Sequence, residues 1–145
     1  MKILTKREIN KILDNLREYY GIKELKLDYL FLQNKEKIYL ISKDFKKLNT
    51  KNLRVNNLGL YFLNVSKGLR LSIEGSQMMG KKATKNIYEI IEKDLKAWLR
   101  GYDLECSNLQ GHKLIKNKDD FYGIGFASNN KIKNFIPKSR RIRNV

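Results

Sequence analysis

Apolar residues first recur at helical spacing: Ile9, Ile12, Leu13, Leu16 and Tyr20 form one stripe, with Lys6, Arg7, Lys11, Asp14 and Arg17 left for solvent. Thr5 and Glu8 make a T-x-x-E capping box ahead of it, Leu4 and Ile9 flank the box as a hydrophobic staple, and Gly21 supplies a left-handed stop. The pattern predicts a helix from Lys6 to Tyr20, with one face on a sheet. From Leu25 the period shortens to that of strands. Leu27, Tyr29 and Phe31 alternate with Asp28 and Leu30, and a turn at residues 33–36 leads to Ile38, Leu40 and Ile41, which predicts a hairpin. Ser42 opens S-K-D-F, a cap for a short helix through Leu48, and the polar cluster from Asn49 to Asn52 breaks it. Leu53, Val55 and the stretch from Leu58 to Val65 read as one or two strands around an Asn56-Asn57 turn. Leu69, Leu71 and Ile73 read as a further strand after the Ser66-Lys67-Gly68 turn.

Near residues 80–85 the apolar periodicity stops, and a domain junction is expected there, dividing the chain into 1–82 and 83–145. Beyond it, Tyr88, Ile90 and Ile91 predict a strand. Leu95, Trp98 and Leu99 predict a helix opened by Glu92, Lys93 and Asp94 and ended at Gly101. Short strands follow around Leu104, Lys113 to Ile115 and Phe121 to Phe126, where Gly123 and Gly125 permit a sharp bend or a close backbone approach. The fold class is α+β: an antiparallel sheet with helices, then a small barrel whose core leans on closure and on the first unit.

Composition narrows the partners. Thirty-one Lys and Arg against fifteen Asp and Glu leave a formal charge of +16 in 145 residues, which points to nucleic acid or an anionic membrane. No apolar run approaches the length of a membrane span, and MKILTKREIN turns charged after four residues, so no membrane partner and a cytoplasmic location are expected. Cys106 is the single cysteine, which excludes an intrachain disulfide, and with His112 as the sole histidine it cannot build a four-ligand zinc site. No cofactor is implied.

The charge is also segregated. Residues 83–120 hold seven basic and seven acidic side chains, whereas 121–145 hold six basic and none acidic. Lys131, Lys133, Lys138, Arg140, Arg141 and Arg143 are therefore the candidate phosphate contacts, and Asn134, Tyr122 or Phe135 the candidates to read or stack a base. Catalysis finds little support: Asp119 and Asp120 are adjacent and point apart, and no phosphate loop, dinucleotide fingerprint or H-E-x-x-H occurs.

YEIIEKDLKAWLRGYDL followed by GHKLIKNKDDFYGIGFAS resembles the PUA domain, a small RNA-binding pseudobarrel, and KIKNFIPKSRR is similar to the end of the PUA-type domain of Sun/Nop-type RNA cytosine-5 methyltransferases. LTKREINKILDNLREYYG, KIYLISKDFKKL and LGLYFLNVSKGLRLSIEG resemble, in order, the pre-PUA domain of the archaeal and eukaryotic large-subunit ribosome-assembly factor family. The resemblance implies RNA binding through the second domain, with Gly101 as the point where RNA approaches the backbone, and protein contacts through the first. It implies a non-enzymatic protein acting on rRNA or tRNA, in ribosome assembly or RNA modification, since the methyltransferases' catalytic domain has no counterpart here. The competing expectations are a protein-interaction adaptor in a ribosome-assembly or RNA-processing complex, its charge reflecting solubility or a thermophilic, Lys- and Ile-rich composition, and a stand-alone RNA-binding partner of an RNA cytosine-5 methyltransferase.

Overall fold

The computed structural model describes residues 1–44 and 59–143. The expected helix at 42–48, the polar break after it, and the strand and turn at 53–57 lie outside the described residues, apart from the first few positions of that helix.

Among the described residues the chain forms two five-stranded sheets and three α-helices, a mixed α+β architecture in which an antiparallel sheet precedes a second sheet that curls as a half-barrel. In the first, β1 (Lys2–Ile3), β2 (Leu30–Asn34), β3 (Lys37–Ile41), β4 (Leu60–Asn64) and β5 (Arg70–Leu71) lie side by side in chain order, all antiparallel. The hairpin expected from Leu25 onward is present but shorter. Its first strand begins at Leu30, and the turn narrows to Lys35 and Glu36, with Lys35 at φ 55°.

Helix α1 (Lys6–Tyr20) has the expected bounds. The Thr5 side chain accepts from the Glu8 N–H, the Glu8 carboxylate accepts from the Thr5 N–H, and Gly21 closes the helix at φ 62°. Leu13, Leu16 and Tyr20 are buried against Phe31, Ile38, Leu40, Phe62 and Leu63 of the sheet. Burying a side chain such as Leu16 contributes roughly 2 kcal/mol.

One element departs from expectation. Ile73 does not extend β5: it opens α2 (Ile73–Gly80), capped by the Ser72 hydroxyl, which accepts from the Gly75 N–H. The segment after α2, where a junction is expected, is bonded to the end of α1. Thr84 and Lys85 donate their N–H groups to the Tyr20 carbonyl, the Thr84 hydroxyl donates to the Gly21 carbonyl, and the Asn86 amide donates to the Tyr19 carbonyl.

The second sheet has the order β6 (Ile87–Glu89), β8 (Gly111–Asn117), β9 (Asp120–Ser128), β10 (Lys131–Asn134), β7 (Leu104–Glu105), with only the β6–β8 pair parallel. Helix α3 (Glu92–Leu99) seats Leu95 and Trp98 in a core with Ile115, Ala127, Ile132 and Ile136. Trp98 is fully buried, and its indole N–H donates to the Tyr122 carbonyl at 2.7 Å. Gly125 lies beneath it, where a Cβ would collide with both Trp98 and Ile132. The larger core crosses between the sheets, because Leu114, Phe121 and Ile124 pack with Met79, Phe62 and Leu71.

Candidate nucleic-acid interface

Strand β10 explains how the basic segment is presented. Lys131 and Lys133 are exposed and alternate with buried Ile132 and Asn134, so both lysines leave the same face of the half-barrel. This strand was expected only as a basic surface, because Asn134 breaks the apolar alternation. Asn134 is instead an internal crosslink. Its amide donates to the carbonyls of Trp98 at 2.8 Å and Tyr102 at 3.0 Å, and its side-chain oxygen accepts from the Ile136 N–H at 2.7 Å. Its own N–H donates to Asp103. With the amide committed inside the protein, Asn134 positions the end of α3 and has no free edge for a base.

After Pro137 the chain makes a 3-10 turn at Lys138–Arg140. Lys138 and Arg143 are exposed. Arg140 pairs with Glu74 of α2 at 2.6 Å, which leaves it partly neutralised. Arg141 is half-buried: its Nε donates to the Ile136 carbonyl at 3.1 Å, and its side chain lies over Gly101. Gly101 is at φ 96°, and a Cβ there would overlap the guanidinium. The Ile142 N–H donates to the Leu99 carbonyl, so the tail is fastened to the end of α3. Gly101, Asn134 and Arg141 thus come together as one knot, while Lys131, Lys138 and Arg143 stand exposed and Lys133, also exposed, faces the Phe135 ring.

A second constellation lies between the sheets, where a cavity of about 160 Å³ is lined by Lys37, Tyr61 and Arg70 from the first sheet, Glu74 from α2, and Phe135 and Arg140 from the tail. The Arg70 guanidinium lies 4.4 Å from the centre of the Phe135 ring, and the Lys133 ammonium lies 5.8 Å from the same ring. Lys37 sits 5.3 Å from the Tyr61 ring centre. His112 meets Phe126 edge-on at 5.0 Å and Phe135 at 6.4 Å. Burial, and then the neighbouring Arg70 charge, hold its pKa below the ordinary 6.5. Among the described residues no group of three or more His, Cys, Asp or Glu side chains converges as a metal site, and no helix is long and apolar enough to cross a membrane. Cys106 is half-buried against the second core.

The family model of the NIP7/UPF0113 pre-PUA domain matches residues 1–73, just over half of the chain. The chain belongs to this family. No curated protein matches it.

The NIP7/UPF0113 match ends at Ile73, the first residue of α2, and therefore takes in α1 and the whole first sheet. It also takes in Lys37, Tyr61 and Arg70, which the sequence did not single out. Arg70 stands between Leu69 and Leu71 and reads as the solvent side of a strand. No linear signal joins it to Phe135, 65 positions later, because only the packing of the two sheets does so.

Proposed function

We propose that this NIP7/UPF0113 family member is a non-enzymatic RNA-binding protein that acts on ribosomal RNA in ribosome assembly or RNA modification. Its two parts divide the work. Residues 83–145 act as a PUA-type RNA-binding unit, and residues 1–82 as a pre-PUA unit that docks partner proteins. The observation that carries the reading is the exposed set Lys131, Lys133, Lys138 and Arg143, held on a fastened tail in a stretch with no carboxylate after Asp120. Such a set neutralises phosphates without first breaking an internal ion pair. A cytoplasmic location fits this work.

The variant that tests it spares the two arginines with internal partners. Replacing Lys131, Lys138 and Arg143 together by Ala is expected to keep the melting temperature and to weaken binding to every RNA tried. Each lost contact lowers the slope of log affinity against log salt by roughly 0.7 on single strands, about 2 in total. Equal affinities and equal slopes for wild type and variant would assign the tail to solvated surface and favour the adaptor reading.

A further inference from the structure

We propose that the cleft between the two sheets holds one nucleotide of a single-stranded RNA, its phosphate against Lys37 and Arg70 and its base against Tyr61. The inference rests on the RNA-binding reading and extends it to the pre-PUA half, which contributes Lys37, Tyr61 and Arg70. Three observations support it. First, cations and half-buried aromatic rings alternate around the cavity, and this pairing suits a chain of phosphates and flat bases better than a folded acidic protein surface, which offers charge without rings. Second, the Arg70 side chain is under-satisfied: its terminal nitrogen donates to the Ser66 hydroxyl at 3.2 Å, but its Nε is buried with no acceptor among the described residues. A buried donor in that state is costly, and an anionic oxygen drawn in beside the guanidinium relieves the cost. Third, Glu74 is the one carboxylate on the cavity wall among the described residues, and it is paired with Arg140, so the described wall carries a net excess of positive charge.

The cleft and the tail are contiguous through Arg140 and Phe135, so a strand crossing Lys133 and Lys138 reaches the cleft without leaving basic surface. The proposed path therefore runs from the second sheet onto the first.

The test measures fluorescence anisotropy of an unstructured RNA of about twelve nucleotides, within the usual span of such sites, across several salt concentrations. An abasic oligomer with the same phosphates is titrated alongside. The double variant Lys37→Ala, Arg70→Gln is expected to bind about tenfold more weakly, with the slope lowered by about 1.4 for two phosphate contacts. Tyr61→Leu is expected to lose affinity for the RNA but not for the abasic oligomer. Glu74→Gln, which frees Arg140, is expected to bind severalfold tighter. Should Arg70→Gln impair folding, Lys37→Ala alone still carries the phosphate arm, since Lys37 is exposed at the start of its strand. If the double variant matches wild type while the tail variant does not, the cleft is no RNA site and the tail reading stands. If wild type binds no RNA at all, both fall. Equal competition by a polyglutamate peptide against every variant overturns the cleft assignment in favour of an acidic protein partner.

Discussion

Asn134 shows how a residue's chemistry depends on where its amide is spent. Three backbone groups, at Trp98, Tyr102 and Ile136, take their hydrogen bonds from this one side chain, which is 8% exposed. Asn134→Ala leaves the buried Ile136 N–H and the part-buried Tyr102 carbonyl without this partner, while the Trp98 carbonyl keeps the Gly101 N–H, and is expected to cost about 1–3 kcal/mol. Thermal melts should show the loss, while RNA affinity below the melting temperature stays at the wild-type level; weaker binding with an unchanged melt would return Asn134 to the RNA contacts. His112 gives a prediction in pH. Its folded pKa is depressed, so the folded state takes up a proton less readily than the unfolded chain. Its contribution to stability is therefore intact above the ordinary value of 6.5 and is lost as pH falls below it. Melting temperatures followed from pH 7.5 to 5 should decline, and His112→Gln should flatten the part of the decline near 6.5. Neither role is written locally in the sequence. An Asn in a basic run and a His after a glycine look like surface, and what moves them inside is the register of β10 on β9 and the closeness of Arg70 and Phe135.

Among the elements, α1 was fully legible because every signal agreed: stripe, capping box and glycine stop all mark the same fifteen residues. Helix α2 was not, since an eight-residue segment with glycines at both Gly75 and Gly80 has poor helix propensity and a weak apolar stripe. Those glycines are there for packing. A Cβ at Gly75 would meet the Phe62 carbonyl, and one at Gly80 would stand 2.3 Å from the Phe121 ring. Gly80→Ala is accordingly expected to destabilise by roughly 1–3 kcal/mol through overpacking, although alanine is the better helix former. Adding Phe121→Leu should recover part of the loss. Urea titrations of the two variants decide the matter, and a Gly80→Ala protein as stable as wild type would show that α2 shifts freely on β9.

For the whole molecule, the break in periodicity near residue 80 located the change from one sheet to the other, but it did not reveal a core that runs through both. Met79 and Leu71 pack with Leu114, Phe121 and Ile124, and the 84–86 segment is bonded to the end of α1. The two proposed parts are therefore expected to differ in task but to unfold together. Trp98, the single tryptophan, reports on the second sheet, whereas far-ultraviolet dichroism sums α1, α2 and α3 and so reports on both parts. Their denaturation curves should coincide. Separated midpoints would mean that the shared core contributes little.

Gly80 against Phe121 has a consequence for how such chains diversify. The helix that continues directly from the first sheet is shaped to fit an aromatic ring on the second, so neither half is a free cassette. A recombination event joining this first half to another second half must bring a ring of the same size to the place of Phe121, or replace Gly80 along with it. Mutations at the two positions are consequently expected to be inherited in pairs, with a methyl group appearing at 80 only in lineages whose residue at 121 has already become smaller.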